Sequence, residues 1–403
     1  MSRAGPRDAL PRTVIGLGVV SLFTDVSSEA IFPLLPGFLA LLGASNAAIG
    51  LIEGLADLVA SGLKYLIGRA ADRRARLKPL ILIGYGISTV FRPLVALALS
   101  PWHVLAVRVG DRVGKGIRTS PRDALIAAVT PESMRGRAFG FHRAMDHAGA
   151  ALGTLLGMGL LWGLGATSQN AATSEQLRTV FAWAAVPGGC ALIALALTRE
   201  PARPAPPLGS HEPRQALPLP AELRRALIPV ALFALANASD AFLLVKAARL
   251  GAPPIFAPLL WLVVHVIKAS TATLGGRLSD RFGTRNALAL GWTVYAVTWT
   301  AVGQVDGAPG LFAVALPYAV SHGLVEGPEK ALIAELAPAH ARGSAFGVYN
   351  LIVGLMALLA STSFGALWDD LGGRAAFAAS GACALAAALA LLVLVRGPLR
   401  SRV

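Results

Sequence analysis

Charged residues are few in this chain: 14% of its 403 residues, against 55% hydrophobic. A water-soluble domain carries about 25%. A chain this apolar cannot cover itself with a solvated surface, so an ordinary soluble fold is excluded and a polytopic membrane protein is expected. Acidic residues are scarcer still, 22 Asp and Glu against 36 Lys and Arg. Such a surplus on one soluble face would suggest nucleic acid. Here the basic residues fall between apolar runs, which argues against nucleic acid and fits cytoplasmic loops. Cysteine is nearly absent: Cys190 and Cys383 both sit in apolar runs, as inert packing residues that say nothing of redox compartment. HExxH, GxSxG and Cys-His constellations are missing, and no soluble domain is present to offer paired carboxylates a substrate. No enzyme activity, metal site or cofactor is expected.

Apolar sequence is abundant. A helical span needs about 20 such residues, and twelve stretches qualify: 14–42, 48–68, 79–99, 102–120, 138–163, 178–197, 226–249, 255–275, 285–304, 310–329, 343–367 and 374–396. The first is too long for a signal peptide, whose apolar core runs about 7–15 residues, and reads as a retained span. Six spans precede a Pro- and Arg-rich break and six follow it. The expected architecture is an all-α membrane protein: a six-helix domain at 1–197, a flexible cytoplasmic linker at 198–225 and a second six-helix domain at 226–403. The tails, the linker and the loops at 69–78, 118–137, 277–285 and 330–342 hold nearly all the loop Lys and Arg, so both termini are expected in the cytoplasm.

The halves repeat one another. Arg108 to Phe139 begins as an apolar helix carrying Arg108, Asp111, Arg112 and Lys115. It is expected to continue as a basic loop, with a new helix starting at Thr130-Pro131-Glu132. A diluted copy returns from Gly323 to Phe346, with Pro121 over Pro328 and Arg135-Gly136 over Arg342-Gly343, at a constant offset of 207. Gly68 to Arg73 likewise matches Gly276 to Arg281.

Twelve spans in two halves, with GxxxDR after spans two and eight, resemble the major facilitator superfamily (MFS) of secondary transporters. DxxSE at Asp25–Glu29, with DRxGKGIRTxPRDALIA from Asp111 to Ala127, is similar to a bacterial subgroup of it. The resemblance implies that Gly68, Asp72, Arg73, Gly276, Asp280 and Arg281 form a cytoplasmic latch between the domains. It implies that spans one, four, seven and ten line the cavity, and that Arg112, in a sequence similar to the family's RxxQG, serves proton coupling. Ala75 stands where the family has Gly. Thr154 replaces the Pro of the antiporter signature in span five, leaving Gly149, Gly153 and Gly157 equally readable as close helix packing.

Charges at bilayer depth cost at least about 2.5–3.5 kcal/mol each and mark function by default. Asp25 and Glu29 lie one turn apart on one face of span one. Glu29 overlays Asp240, Lys115 overlays His322, and Asp57 overlays His265. Asp25, Glu29 and Asp240 are the candidate proton carriers, with Arg112 the charge that switches them. Asp57, Lys115, His265, Lys268, His322 and Glu326 are candidates for the substrate cavity. Asp111 with Arg108 or Lys115, and Arg143 with Asp146 or His147, read equally as static pairs. Glu53 and Arg108 are expected near the outer interface, where they can snorkel. Pro33 and Pro36 are expected to bend span one just past Glu29.

The function expected is proton-coupled movement of a small solute across a bacterial inner membrane by alternating access, with export slightly favoured. The partners are the solute, protons and the bilayer, and a monomer suffices. An importer of organic anions and a non-transporting receptor or scaffold are the alternatives. Substrate and direction are not legible in the sequence.

Overall fold

The computed structural model describes residues 9–71, 76–131, 135–166, 172–201, 220–252, 256–337 and 342–395, in helices joined by short turns. Span one comprises α1 (Arg12–Glu29), a 3-10 turn (Phe32–Leu34) and α2 (Leu35–Leu41). Span two is α3 (Asn46–Ala71), and span three is α4 (Lys78–Phe91) with a 3-10 turn (Arg92–Leu97). Spans four and five are α5 (Pro101–Val129) and α6 (Arg135–Gly163), and span six is α7 (Ser174–Trp183) with α8 (Ala185–Leu197). Span seven is α9 (Ala221–Ala236) with α10 (Ala241–Arg249), and span eight is α11 (Phe256–Phe282). The last four are α12 (Thr284–Gln304), α13 (Ala308–Leu336), α14 (Arg342–Leu371) and α15 (Gly373–Leu394). This is an all-α fold of twelve spans in two six-helix halves. Among the described residues, eight spans are long and apolar enough to cross a membrane by length and composition alone. Span four is not one of them; its charges hold its hydropathy down.

The face where span one begins and span twelve ends is here the proximal face, and the other the distal face. Spans four, eight and ten run beyond their expected limits on the proximal side, to Val129, Phe282 and Leu336. The expected basic loop from residue 118 is therefore helical as far as Val129. The extension is amphipathic and buries Leu125 and Ile126, as its repeat buries Leu332 and Ile333. Thr130 closes that helix instead of opening the next one: it is extended, and its Oγ1 donates to the Ile126 carbonyl at 2.7 Å. Helix α9 starts at Ala221, within the stretch expected as linker.

Spans one and seven both break at mid-depth. The break in span one follows Glu29 and contains Pro33, as its prolines suggested. The break in span seven runs from Asn237 to Asp240 without proline. Asn, Ser and Asp compete with the helix for backbone hydrogen bonds and release it there.

Within the first half, span five lies against span one through glycine. A Cβ on Gly149, Gly153 or Gly157 would press on the carbonyls of Leu22, Val26 or Ala30. The second half is built around aromatic rings, with Trp299 stacked on Tyr318 at 4.8 Å and Phe233 on Trp292 at 4.7 Å.

The halves meet along spans two and eleven over their whole length, and through spans five and eight. In its distal part the seam of spans two and eleven is main chain on main chain: Gly50 faces the Ser361 carbonyl, Gly54 the Leu358 backbone, and Gly365 the Asn46 carbonyl. The distal face is also closed by α2 against α10 and by Phe32 against Trp261, with ring centroids 4.7 Å apart. There Asp369, near the end of span eleven, caps span two, accepting from the Asn46 and Ala47 amides at 3.2 and 2.9 Å and from Asn46 Nδ2 at 2.6 Å.

Candidate functional site

The two helix breaks place two carboxylates between the halves. Glu29 is the last residue of α1 and Asp240 immediately precedes α10. A broken helix leaves main-chain groups unpaired at that depth.

Glu29 binds across the halves. Its Oε2 accepts from Trp261 Nε1 of span eight at 2.7 Å, and Trp261 packs edge-on against His265 at 4.5 Å. Asp25, one turn earlier, has Asp146, Glu29, Lys115 and Arg92 as its charged surroundings. Asp240 is partnered within the second half: Lys268 Nζ and the Tyr318 hydroxyl both donate to it, and His322 Nε2 lies 3.9 Å away. Span eight thus serves both carboxylates, Trp261 for Glu29 and Lys268 for Asp240. The Nε2 atoms of His265 and His322 are buried without a hydrogen-bond partner among the described residues.

In the first half Arg112 faces Asp57 at 3.8 Å. The cations that bear on Asp25 are Lys115 and Arg92. Asp57 has 53% of its side chain exposed, and Glu326 and Lys330 of span ten, 3.4 Å apart, are 59% and 50% exposed. Asp57 lies near the middle of span two, and Glu326 and Lys330 toward the proximal side of span ten.

Other charges pair within the first half. Arg92 binds Asp111 at 2.8 Å and donates to the Thr24 carbonyl at 2.6 Å. Asp111 therefore takes its partner from span three, not from Arg108 or Lys115 on its own helix. Arg108 grips Glu53 through two bonds of 3.1 and 2.6 Å. Both are buried, with side chains 10% and 4% exposed. They do not snorkel, because each finds the other inside the helix bundle. Asp146 receives Ser21, with His142 at 3.5 Å and Arg143 at 3.6 Å.

Of the expected latch, Asp72 and Arg73 lie outside the described residues, as do the surroundings of Gly68, Gly276 and Asp280. Arg281 is exposed, with its guanidinium 5.3 Å from the Phe282 ring centre. Sequence reasoning did not single out Trp261, Tyr318 or Asp369. Trp261 and Tyr318 stand one turn before His265 and His322, and that i, i+4 spacing was the available signal. Asn350 bonds the Phe346 carbonyl of its own helix, and Asn237 sits at the break in span seven. Among the described residues no three His, Cys, Asp or Glu side chains gather closely enough to hold a metal ion.

The sequence profile of the Major Facilitator Superfamily matches residues 17–267 and 247–403. An uncharacterised MFS-type transporter of Methanocaldococcus jannaschii is 31% identical over 366 residues, covering 89% of each chain. A multidrug resistance protein of Proteus mirabilis is 34% identical over 132 residues, 32% of this chain and 33% of its own. Among solved structures, a bacterial homologue of the human lysosomal transporter Spinster superposes with a TM-score of 0.70 at 18% identity, covering 98% of this chain and 96% of that one.

Proposed function

Since this chain belongs to the major facilitator superfamily and is an MFS transporter, we propose that it couples the movement of a small solute to protons by alternating access, with export the preferred direction. The observation that carries this reading is the Glu29–Trp261 bond, which joins a carboxylate at the break of span one to the opposite half. An ionised carboxylate holds the indole N–H with a charge-assisted bond, and a proton on Glu29 weakens that tie. Proton occupancy then biases the distal closure, and any ligand that favours one closed face shifts the same equilibrium. Asp240 plays the corresponding part in the second half, where Lys268, Tyr318 and His322 set its charge. His265, facing Trp261, relays between the two carboxylates. Asp25 shares the proton with Glu29, and Lys115 and Arg92 are the cations that bear on it.

The positive-inside bias orients the proximal face, with both termini and the segment between the halves, toward the cytoplasm of a bacterial inner membrane. The structure then corresponds to a state closed outside. Asp72, Arg73, Asp280 and Arg281 are read as the latch that closes the other face. Export is favoured by the partial likeness to a multidrug resistance protein. Import of an organic anion is the second reading, favoured by the cations of spans two and four.

The test is proton flux in proteoliposomes loaded with a pH-sensitive dye, with organic cations and organic anions added in turn. A substrate-dependent proton signal in the wild-type protein that disappears in Glu29→Gln and in Asp240→Asn is the expected result. Solute movement with no proton signal in the wild-type protein would refute coupling.

A further inference from the structure

Span four lays Arg112 and Lys115 against the part of span two that carries Lys64. Gly116 lets the helices close: a Cβ there would press on the Leu63 side chain and the Ala60 carbonyl. Ser120 Oγ fastens the contact by donating to the Lys64 carbonyl at 2.8 Å. Arg112 acts as a like charge on both Lys64 and Lys115. Lys330 of span ten, in the other half, also bears on Lys64.

The compensating charge falls short, since Asp111, which also bears on Arg112, is held by Arg92. Asp57 stands 3.8 Å from Arg112, beyond hydrogen bonding and half exposed, and Asp25 bears more weakly on Lys115. Arg112 Nε is buried without a hydrogen-bond partner among the described residues. A buried donor left open is costly, and clustered cations repel one another. A ligand oxyanion relieves both costs at once. In the second half Asp240 holds Lys268.

We infer that Lys64, Arg112 and Lys115 form a seat for a carboxylate or phosphate group of the transported solute, making the substrate an organic anion. This rests on the transport reading of the same cavity. The planar guanidinium offers paired donors that match the edge of either group, and the two ammonium groups add point charges.

The test is thermal stability of the purified full chain in detergent, where no proton gradient exists. Inorganic phosphate and citrate are the anion probes, sodium chloride at equal ionic strength the salt control, and tetraphenylphosphonium the cation probe. Phosphate or citrate is expected to raise Tm in a saturable way, with chloride inert. The apparent Kd is expected to weaken about tenfold or more, or about 1.4 kcal/mol, in Arg112→Gln and Lys115→Gln. Arg374→Gln, at an exposed distal pair with Asp306, is expected to leave it unchanged. If Arg112→Gln fails to fold, Lys115→Gln and Lys64→Gln carry the test. Stabilisation that persists in the variants, that chloride reproduces, or that only tetraphenylphosphonium gives would overturn the seat, as would no response to any probe. Proton-coupled flux of a cation without anion binding removes the seat alone. Anion binding without proton flux removes the coupling and leaves the seat.

Discussion

Glu53 and Arg108 form a deeply buried ion pair of the first half, with two bonds and almost no solvent. Removing one partner strands the other charge. Glu53→Gln is therefore expected to destabilise the protein by about 3–5 kcal/mol. Arg374→Gln, which breaks an exposed pair, is expected to cost about 1 kcal/mol or less. Thermal unfolding of the two variants side by side in detergent checks the difference; equal Tm values would mean that the buried pair contributes nothing special. The carboxylates themselves were legible in the sequence, because apolar surroundings make each charge conspicuous and the repeat sets Glu29 over Asp240. Their partners were not. Trp261, Tyr318 and Arg92 reach them from other spans, and reach of that kind depends on helix rotation and crossing, which a linear pattern does not record.

Helix ends and breaks tell a similar story. The break after Glu29 was announced by Pro33, whereas that before Asp240 rests on Asn237, Ser239 and Asp240, whose weaker preferences are decided by tertiary context. Spans four and ten overran their expected limits because their proximal extensions are amphipathic, and a window tuned to uniform apolarity stops at the first charges. Asp369 marks an element boundary that draws on both halves: a carboxylate from span eleven caps span two. Asp369→Ala is expected to cost about 1 kcal/mol through loss of the cap, and to loosen the distal closure that the same bonds support. The readout is labelling of a cysteine placed at Ala44, beside the capped helix. Faster modification than in the parent protein is expected, and an unchanged rate would restrict Asp369 to local stability.

For the molecule as a whole, the proposed alternating access makes a reciprocal demand on distances. Spin labels at Ala44 and Ala252, in the distal turns of the two halves, are expected to move apart when a transported solute is added across a proton gradient. Labels at Ala128 and Glu335, at the proximal ends of spans four and ten, are expected to approach. Pulsed electron resonance measures both; movement of one pair without the other would mean local breathing in place of rocking. The twelve-span, two-half plan was legible because bilayer thickness sets span length and the repeat sets symmetry. The face on which the halves close was not, since it depends on contacts between distant spans.

The glycine seam between spans two and eleven has a mechanical consequence. Interlocked side chains behave like gear teeth: they must lift past one another before a shaft can turn. Where Gly50, Gly54 and Gly365 set one backbone directly on another, the teeth are filed away. What remains at the distal end is a plain bearing, about which the two halves can tilt without losing hold of each other.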